Sequence, residues 1–217
     1  QGKVSILMNC YNGEKYLHEA IESIITQTYQ NWELIFWDNQ STDSSKVIFD
    51  SYTDSRLKYF LAPEHTDLGG GRSAAFKHLT GDYIAVLDVD DVWFSSKLEK
   101  QLQLFNDPEV GIVISDTMFF NESYERALYN EDYPPEGYVF RELMTEYFVS
   151  LETLMLRKSV VDKLYYGFDA DFSFIADFDL VLRTAKISKL AIYKEVLAKW
   201  RVHEDSDSWK SSVTFCN

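Results

Sequence analysis

Residues 82–93, DYIAVLDVDDVW, place three carboxylates, Asp88, Asp90 and Asp91, directly after the apolar run 83–87. Like charges this close repel and raise one another's pKa, so the cluster calls for a cation or for hydrogen-bond donors. Magnesium and manganese meet that need with one or two protein carboxylates, the remaining oxygens coming from substrate phosphates and water. Asp88 and Asp90 alternate along an extended segment and so point the same way, with Asp91 on the other side. A solvated acidic turn is the plainer reading, but the end of a buried strand is a poor place for mere solubility. A calcium loop is a further rival, because Glu99 stands twelfth from Asp88; Trp93, however, holds the sixth place, where such a loop needs Gly.

Residues 68–75, LGGGRSAA, contain Gly69, Gly71 and Ala74, a formal match to the dinucleotide fingerprint G-x-G-x-x-A. The match follows the third strand instead of opening the first strand-to-helix turn, which is the wrong context for an NAD-dependent dehydrogenase. The preferred reading is a loop whose glycines let backbone approach a diphosphate, with Arg72 adding charge. A flexible turn before a helix is the bland alternative.

These residues need elements to hold them. The run VSILMN, residues 4–9, reads as a buried strand ended by the turn-formers NCYNG. Leu17, Ala20, Ile21, Ile24, Ile25 and Thr28 then recur at helical spacing. WELIFW, residues 32–37, is a second strand, followed by DNQSTDSS, where Ser41 or Thr42 is placed to cap a helix carrying Val47, Ile48 and Phe49. LKYFL, residues 57–61, is a third strand; a short helix is expected near 72–79 before the strand that delivers the aspartates. Alternation of this kind predicts βαβ units in a mostly parallel sheet, whose ligands bind beyond the carboxyl ends of the strands. The loops NCYNG, DNQSTD and DVDD would share that crevice. Further on the pattern loosens into a strand GIVIS, an aromatic and acidic stretch over 119–138, a helix near 141–148, a strand running into a helix in ETLMLRKSVVDKL, and a helix in FIADFDLVLRTAK with Phe178, Val181, Leu182 and Ala185 on one face.

The 217 residues, 46% of them hydrophobic, suit one sizeable α/β domain. A formal charge of −14, from 35 acidic against 21 basic residues, argues against a nucleic-acid partner, while a small phosphorylated ligand is compatible if a metal supplies positive charge. Two cysteines, Cys10 and Cys216, form no disulfide framework, which points to a reducing, cytoplasmic compartment, and Cys10 reads as an inert core thiol. No run of about 18 apolar residues and no leader pattern is visible, so membrane association, if the natural chain has it, is expected to be peripheral, at the inner face, through a segment following Asn217.

Taken together, four stretches resemble the inverting glycosyltransferases of family 2, which have the nucleotide-sugar fold called GT-A. VSILMNCYNGEKYLHEAIESIITQTYQNWELIFWDNQSTDSS is similar to the family's first βαβ unit; GDYIAVLDVDDVWFSSKLEKQ resembles its metal-binding segment, with Asp88-Val89-Asp90 as the D-x-D motif; FIADFDLVLRTA resembles its acceptor helix; and WRVHEDSDS resembles the strand that brings a histidine back to the metal. The resemblance implies a single Rossmann-like GT-A domain over 1–217, with a central, mostly parallel mixed sheet flanked by helices, a nucleotide-sugar-binding half over about 1–110 and an acceptor-binding half over about 111–217.

It also implies roles. Tyr11 would stack on the base and Asp38 would hydrogen-bond it, a pairing that suits uracil, with Asn39 standing where many members have a second Asp. Asp88 would lie near the ribose, and Asp90 with His203 would hold Mn2+ or Mg2+ bridging the diphosphate. Phe76 and Lys77 replace a common Arg-Asn, so phosphate contacts would shift to Arg72. Asp177 matches the general base, favoured over Asp179 because the two point to different faces of a helix; the usual preceding Glu is Ala176. The implied reaction moves a hexose-type sugar from a nucleoside diphosphate sugar, UDP by expectation, to a saccharide or glycoconjugate hydroxyl in bacterial surface polysaccharide or glycoconjugate synthesis. A non-catalytic nucleotide-sugar-binding module is the other reading.

Overall fold

The computed structural model describes residues 2–173 and 175–203. The apolar runs of the first half become β1 (Val4–Cys10), β2 (Trp32–Asp38), β3 (Leu57–Leu61) and β4 (Tyr83–Val86). They lie side by side in the order β3-β2-β1-β4, every pair parallel. β1 and β2 are buried along their whole length because both faces of the sheet are covered. Leu7, Ile35, Trp37 and Ile84 feed one core, and Ile6, Met8, Leu34 and Phe36 feed the other, the period-2 alternation of a pleated strand. Cys10 is buried in the second core and unpaired, and burial pushes its thiol up, as suits an inert side chain; Cys216 lies outside the described residues.

α1 (Leu17–Ile25) buries Leu17, Ala20, Ile21 and Ile24, as the spacing predicts. α2 (Ser45–Asp50) differs from expectation at its start: neither Ser41 nor Thr42 caps it, and the flanking residue Ser44 makes no side-chain cap bond. Ser41 instead accepts a 3.0 Å hydrogen bond from the Asn12 amide, while Asp43 accepts one from the Ser45 amide at 3.0 Å. The turn's polar groups go to stitching the β1 and β2 loops together.

The largest correction concerns the glycines. LGGGRSAAF is a helix, α3 (Leu68–Phe76), and no loop; it starts early because Asp67, in extended backbone, caps it by accepting from the Gly70 amide at 2.8 Å. Each glycine inside a helix costs up to about 1 kcal/mol against Ala, so a packing reason is required. A Cβ on Gly69 would lie 1.9 Å from the Phe172 carbonyl oxygen, and one on Gly71 would lie 2.6 Å from Asn9 Nδ2. The glycines let the helix backbone approach β1 and the 169–172 loop, not a diphosphate.

The second half adds β5 (Val92–Trp93), α4 (Lys97–Leu102), β6 (Val110–Phe120), β7 (Glu125–Ala127), α5 (Phe140–Thr145), β8 (Met155–Arg157), α6 (Lys158–Val161), α7 (Ala176–Ala185) and β9 (Lys189–Arg201). Its strands extend the same sheet to β3-β2-β1-β4-β8-β6-β9-β5, with β7 paired to β6. β8 is antiparallel to both β4 and β6, β6 and β9 are parallel through three irregularities, one between Val110 and Ile112 and one on each side of Asp116, and β5 is antiparallel to β9. One mixed sheet flanked by helices therefore carries both halves as a single α/β domain. Among the described residues no helix is long and apolar enough to cross a membrane.

Candidate active site

A cleft of about 900 Å³ opens beyond the carboxyl ends of β1, β2 and β4. Tyr11, Asn39, Arg72, Asp88, Asp90, Asp177 and His203 all line it, brought from six separate stretches of chain; Asp38 does not.

The β4 strand ends in a tight turn, closed by the Asp91 amide donating to the Asp88 carbonyl at 3.2 Å. The three carboxylates separate at this turn. Asp88 accepts two bonds from Arg72 Nη2, at 2.8 and 2.9 Å. Asp90 lies 2.9 Å from His203 Nε2. Asp91 turns inward and accepts from the Arg201 amide at 2.9 Å. Pairing between β5 and the end of β9 makes this possible, because Val92 faces Lys199 and so draws residues 201–203 against the turn. Arg201 fastens the joint: its Nε donates to the Asp90 carbonyl at 2.9 Å, its guanidinium pairs with Glu19, and it lies over the rings of Tyr16 and Phe120.

The electrostatics of the turn favour a bound cation. Burial raises the Asp90 pKa and the Asp88 charge adds to the rise, while His203 opposes it. Behind it, burial pushes up Asp91, the neighbouring Glu152 carboxylate pushes it further, and burial raises Glu152 as well. Asp90 and His203 offer a carboxylate oxygen and an imidazole nitrogen at one point on the cleft wall, a donor set that suits manganese or magnesium when diphosphate oxygens and water complete the shell. Among the described residues no group of three or more His, Cys, Asp or Glu side chains could hold a metal by itself. The residues after His203 that the sequence resemblance includes, in WRVHEDSDS, lie outside the described residues.

On the β1–β2 side, Tyr11 is 51% exposed and its ring lies 4.2 Å from that of His65. Asn39 is tied to the neighbouring loop, its amide donating to the Thr66 carbonyl at 2.7 Å and accepting from the Thr66 amide at 3.1 Å. Asp38 corrects an expectation. It is 2% exposed, accepts from the Ser41 amide at 2.8 Å and from the Tyr59 hydroxyl at 2.5 Å, and has no face on the cleft. As the last residue of β2 it follows the pleat inward, toward its β3 neighbour Tyr59, and only the next residue reaches the crevice. Arg72 also differs from a free phosphate-binding cation. It is 4% exposed, and although burial works against its charge, Asp88 more than restores it.

At the opposite wall Asp177 sits in the first turn of α7, where Tyr147 donates to its Oδ2 at 3.0 Å. Asp179, one turn-face away, is bound by Arg183 through Nε at 2.9 Å and through Nη2 at 2.5 Å. Arg183 in turn donates to the carbonyls of Tyr166 and Gly167, at 2.7 and 2.6 Å. Asp179 thus braces a loop while Asp177 faces the cleft.

Several cleft residues escaped the sequence reading. Asn9, His65, Tyr147 and Glu152 line the site, and both amide atoms of Asn9 are buried with no hydrogen-bond partner among the described residues. Asn9 interrupting an apolar strand, where a core side chain would be expected, was the one available signal; the others lie in irregular segments without one.

Residues 5–165 match Glycosyl transferase family 2. The chain belongs to that family. Among curated members it is 27% identical over 165 residues to a UDP-Glc:alpha-D-GlcNAc-diphosphoundecaprenol beta-1,3-glucosyltransferase of Escherichia coli, covering 76% of this chain, and 30% identical over 208 residues to an uncharacterized glycosyltransferase of Rickettsia typhi, covering 93%. The chain spans 64% of the length of each of these relatives. Among solved structures, Staphylococcus aureus TarS in complex with UDP-GlcNAc superposes with a TM-score of 0.78 at 20% identity, over 94% of this chain and 60% of that one. The mannosyltransferase PcManGT of Pyrobaculum calidifontis, in complex with GDP-Man and Mn2+, does so with a TM-score of 0.73 at 17% identity, over 95% of this chain and 59% of the other. These likenesses show the fold, which is GT-A.

Proposed function

We propose that this family 2 chain transfers a sugar from a nucleoside diphosphate sugar to an acceptor hydroxyl with inversion at the anomeric carbon. The observation that carries the reading is that Asp177 lines the same cleft as Asp88, Asp90 and His203. In that arrangement the Asp177 carboxylate takes the proton of the acceptor hydroxyl as its oxygen attacks the anomeric carbon. The new carbon–oxygen bond forms on the face opposite the bond that breaks to the diphosphate, and the nucleoside diphosphate departs with the bonding electron pair. A divalent ion held by Asp90 and His203 would neutralise charge on the leaving diphosphate. Residues 1–110 supply the donor side and residues 111–217 most of the acceptor side.

UDP is the favoured nucleotide: Tyr11, backed by His65, offers a ring face for a base in the cleft that Asn39 also lines. Both the E. coli relative and the TarS complex carry UDP-sugar names, which supports the same choice. The E. coli name, with its GlcNAc-diphosphoundecaprenol, also supports a lipid-linked saccharide as acceptor; a role in surface polysaccharide synthesis at the inner face of the membrane is part of the same proposal.

Thermal denaturation with UDP-glucose, UDP-N-acetylglucosamine and GDP-mannose, each with and without Mn2+, tests donor choice, since a ligand of the native state raises apparent stability by mass action. Metal-dependent stabilisation by a UDP-sugar together with UDP release is the expected result. Binding without any UDP release would favour the non-catalytic module.

A further inference from the structure

The hydroxyl of Tyr147 makes the one hydrogen bond that the Asp177 carboxylate receives among the described residues, and it takes Oδ2. Two contacts hold the phenol in place. Its ring packs edge-on against Phe178, with centroids 5.0 Å apart and planes at 86°. The backbone beside it is pinned where the Tyr129 hydroxyl donates to the Phe148 carbonyl at 2.6 Å. Burial and then the Asp177 charge push the phenol well above its usual range, so it stays protonated and can only donate to the carboxylate. The Arg72 guanidinium, from α3, is the other charged group that senses both Asp177 and Tyr147, and it is already committed to Asp88.

We infer that Tyr147 is a positioning residue for the base: it holds Oδ2 of Asp177 and thereby turns Oδ1 toward the acceptor hydroxyl. The inference rests on the reading of Asp177 as the base. A carboxylate on a helix turn has one staggered and one broad side-chain torsion to lose, and a half-buried donor packed against Phe178 restricts that freedom before the acceptor arrives. Such a bond should act on turnover while leaving donor affinity alone, because the base is engaged only when the acceptor is deprotonated.

The test uses UDP-glucose and UDP-N-acetylglucosamine with Mn2+, water serving as acceptor, with UDP release as the rate. Tyr147→Phe should lower kcat by roughly 10- to 100-fold, the range of a hydrogen bond to a charged group, with KM for the donor and the calorimetric Kd for UDP unchanged. In an Asp177→Asn background the same change should have almost no further effect, since the group it orients is gone. Tyr129→Phe supplies the structural baseline, loosening the same segment without touching the base, and should reduce kcat far less. An unchanged kcat in Tyr147→Phe, additive losses in the double variant, or an equal loss in Tyr129→Phe would each overturn the positioning role while leaving the transferase reading intact. A wild-type chain that releases no UDP from either donor overturns the reading and the role together.

Discussion

Asn9, Tyr11, Asn39 and Asp88 stand at or just past the carboxyl ends of neighbouring parallel strands, whereas Tyr147, Asp177 and His203 come from a loop between helices, a helix start and the end of a thirteen-residue strand. The first group is held by the backbone ladder of a sheet buried on both faces. The second group is held by side chains: Tyr147 donates to Asp177, and His203 lies beside Asp90. On the proposed reading the ladder side binds the donor, so changes there should appear in affinity; Tyr147 and Asp177 serve the acceptor, so changes there should appear in turnover.

The sharpest test of that division lies on α7. Asp177→Asn keeps size and much of the hydrogen bonding but cannot accept a proton, so turnover should fall by roughly 10²- to 10⁴-fold with UDP affinity held. Asp179→Asn should cost little turnover and some stability, because it frees Arg183 from the 166–167 loop. The pair is read by UDP release and calorimetric UDP titration, and the reverse outcome would exchange their roles.

Next in size is the seam between the two sides. Gly69→Ala would drive a Cβ into the Phe172 carbonyl, an atom that cannot swing aside, and should destabilise the fold by about 2–3 kcal/mol in urea denaturation. If the seam holds the sides in register, donor affinity should survive better than turnover. On the ladder side, Asp90→Ala should weaken UDP binding on the order of tenfold or more and make what remains indifferent to EDTA. Metal dependence that persists in calorimetry with this variant would remove Asp90 from the metal site.

An effect on stability alone, outside the division between affinity and turnover, concerns Lys97, which is fully buried, donates to Gln101 Oε1 at 2.7 Å and lies 4.2 Å from the Trp93 ring. Burial pushes it down to about 7, with the Glu152 charge opposing. The unfolded chain therefore holds a proton that the folded chain releases between about pH 7 and 10, and stability should rise with pH across that window, by at most about 1.4 kcal/mol per unit. Urea denaturation of Lys97→Met across the same window should show a flatter profile.

What the sequence determined by itself is the part written in local periodicity. The strands of the first half, α1, the carboxylate turn after β4 and the α7 helix all follow from apolar spacing and turn residues within about ten positions of each other. That Asp91 parts from Asp88 and Asp90 does not come from the pleat an extended segment would have: β4 ends at Val86, and a turn closed by the Asp91 amide on the Asp88 carbonyl sends the three carboxylates to different partners. The glycines show where such reading stops. Gly69 and Gly71 signalled close approach, but the approaching partners, Phe172 and Asn9, are distant in sequence, and a helix cap at Asp67 outweighed the glycines' reluctance to be helical. Asp38 shows the same limit: one step of strand pleat decided whether its carboxylate met the cleft or Tyr59. Only the tertiary structure decided that Arg183 reaches the carbonyls of Tyr166 and Gly167, that Tyr147 reaches Asp177, and that β9 runs far enough past β5 to set His203 beside Asp90. These contacts join residues far apart in the chain, and their geometry is set by sheet register and helix packing, which no local pattern encodes; the Asp179–Arg183 pair, one helical turn apart, is local.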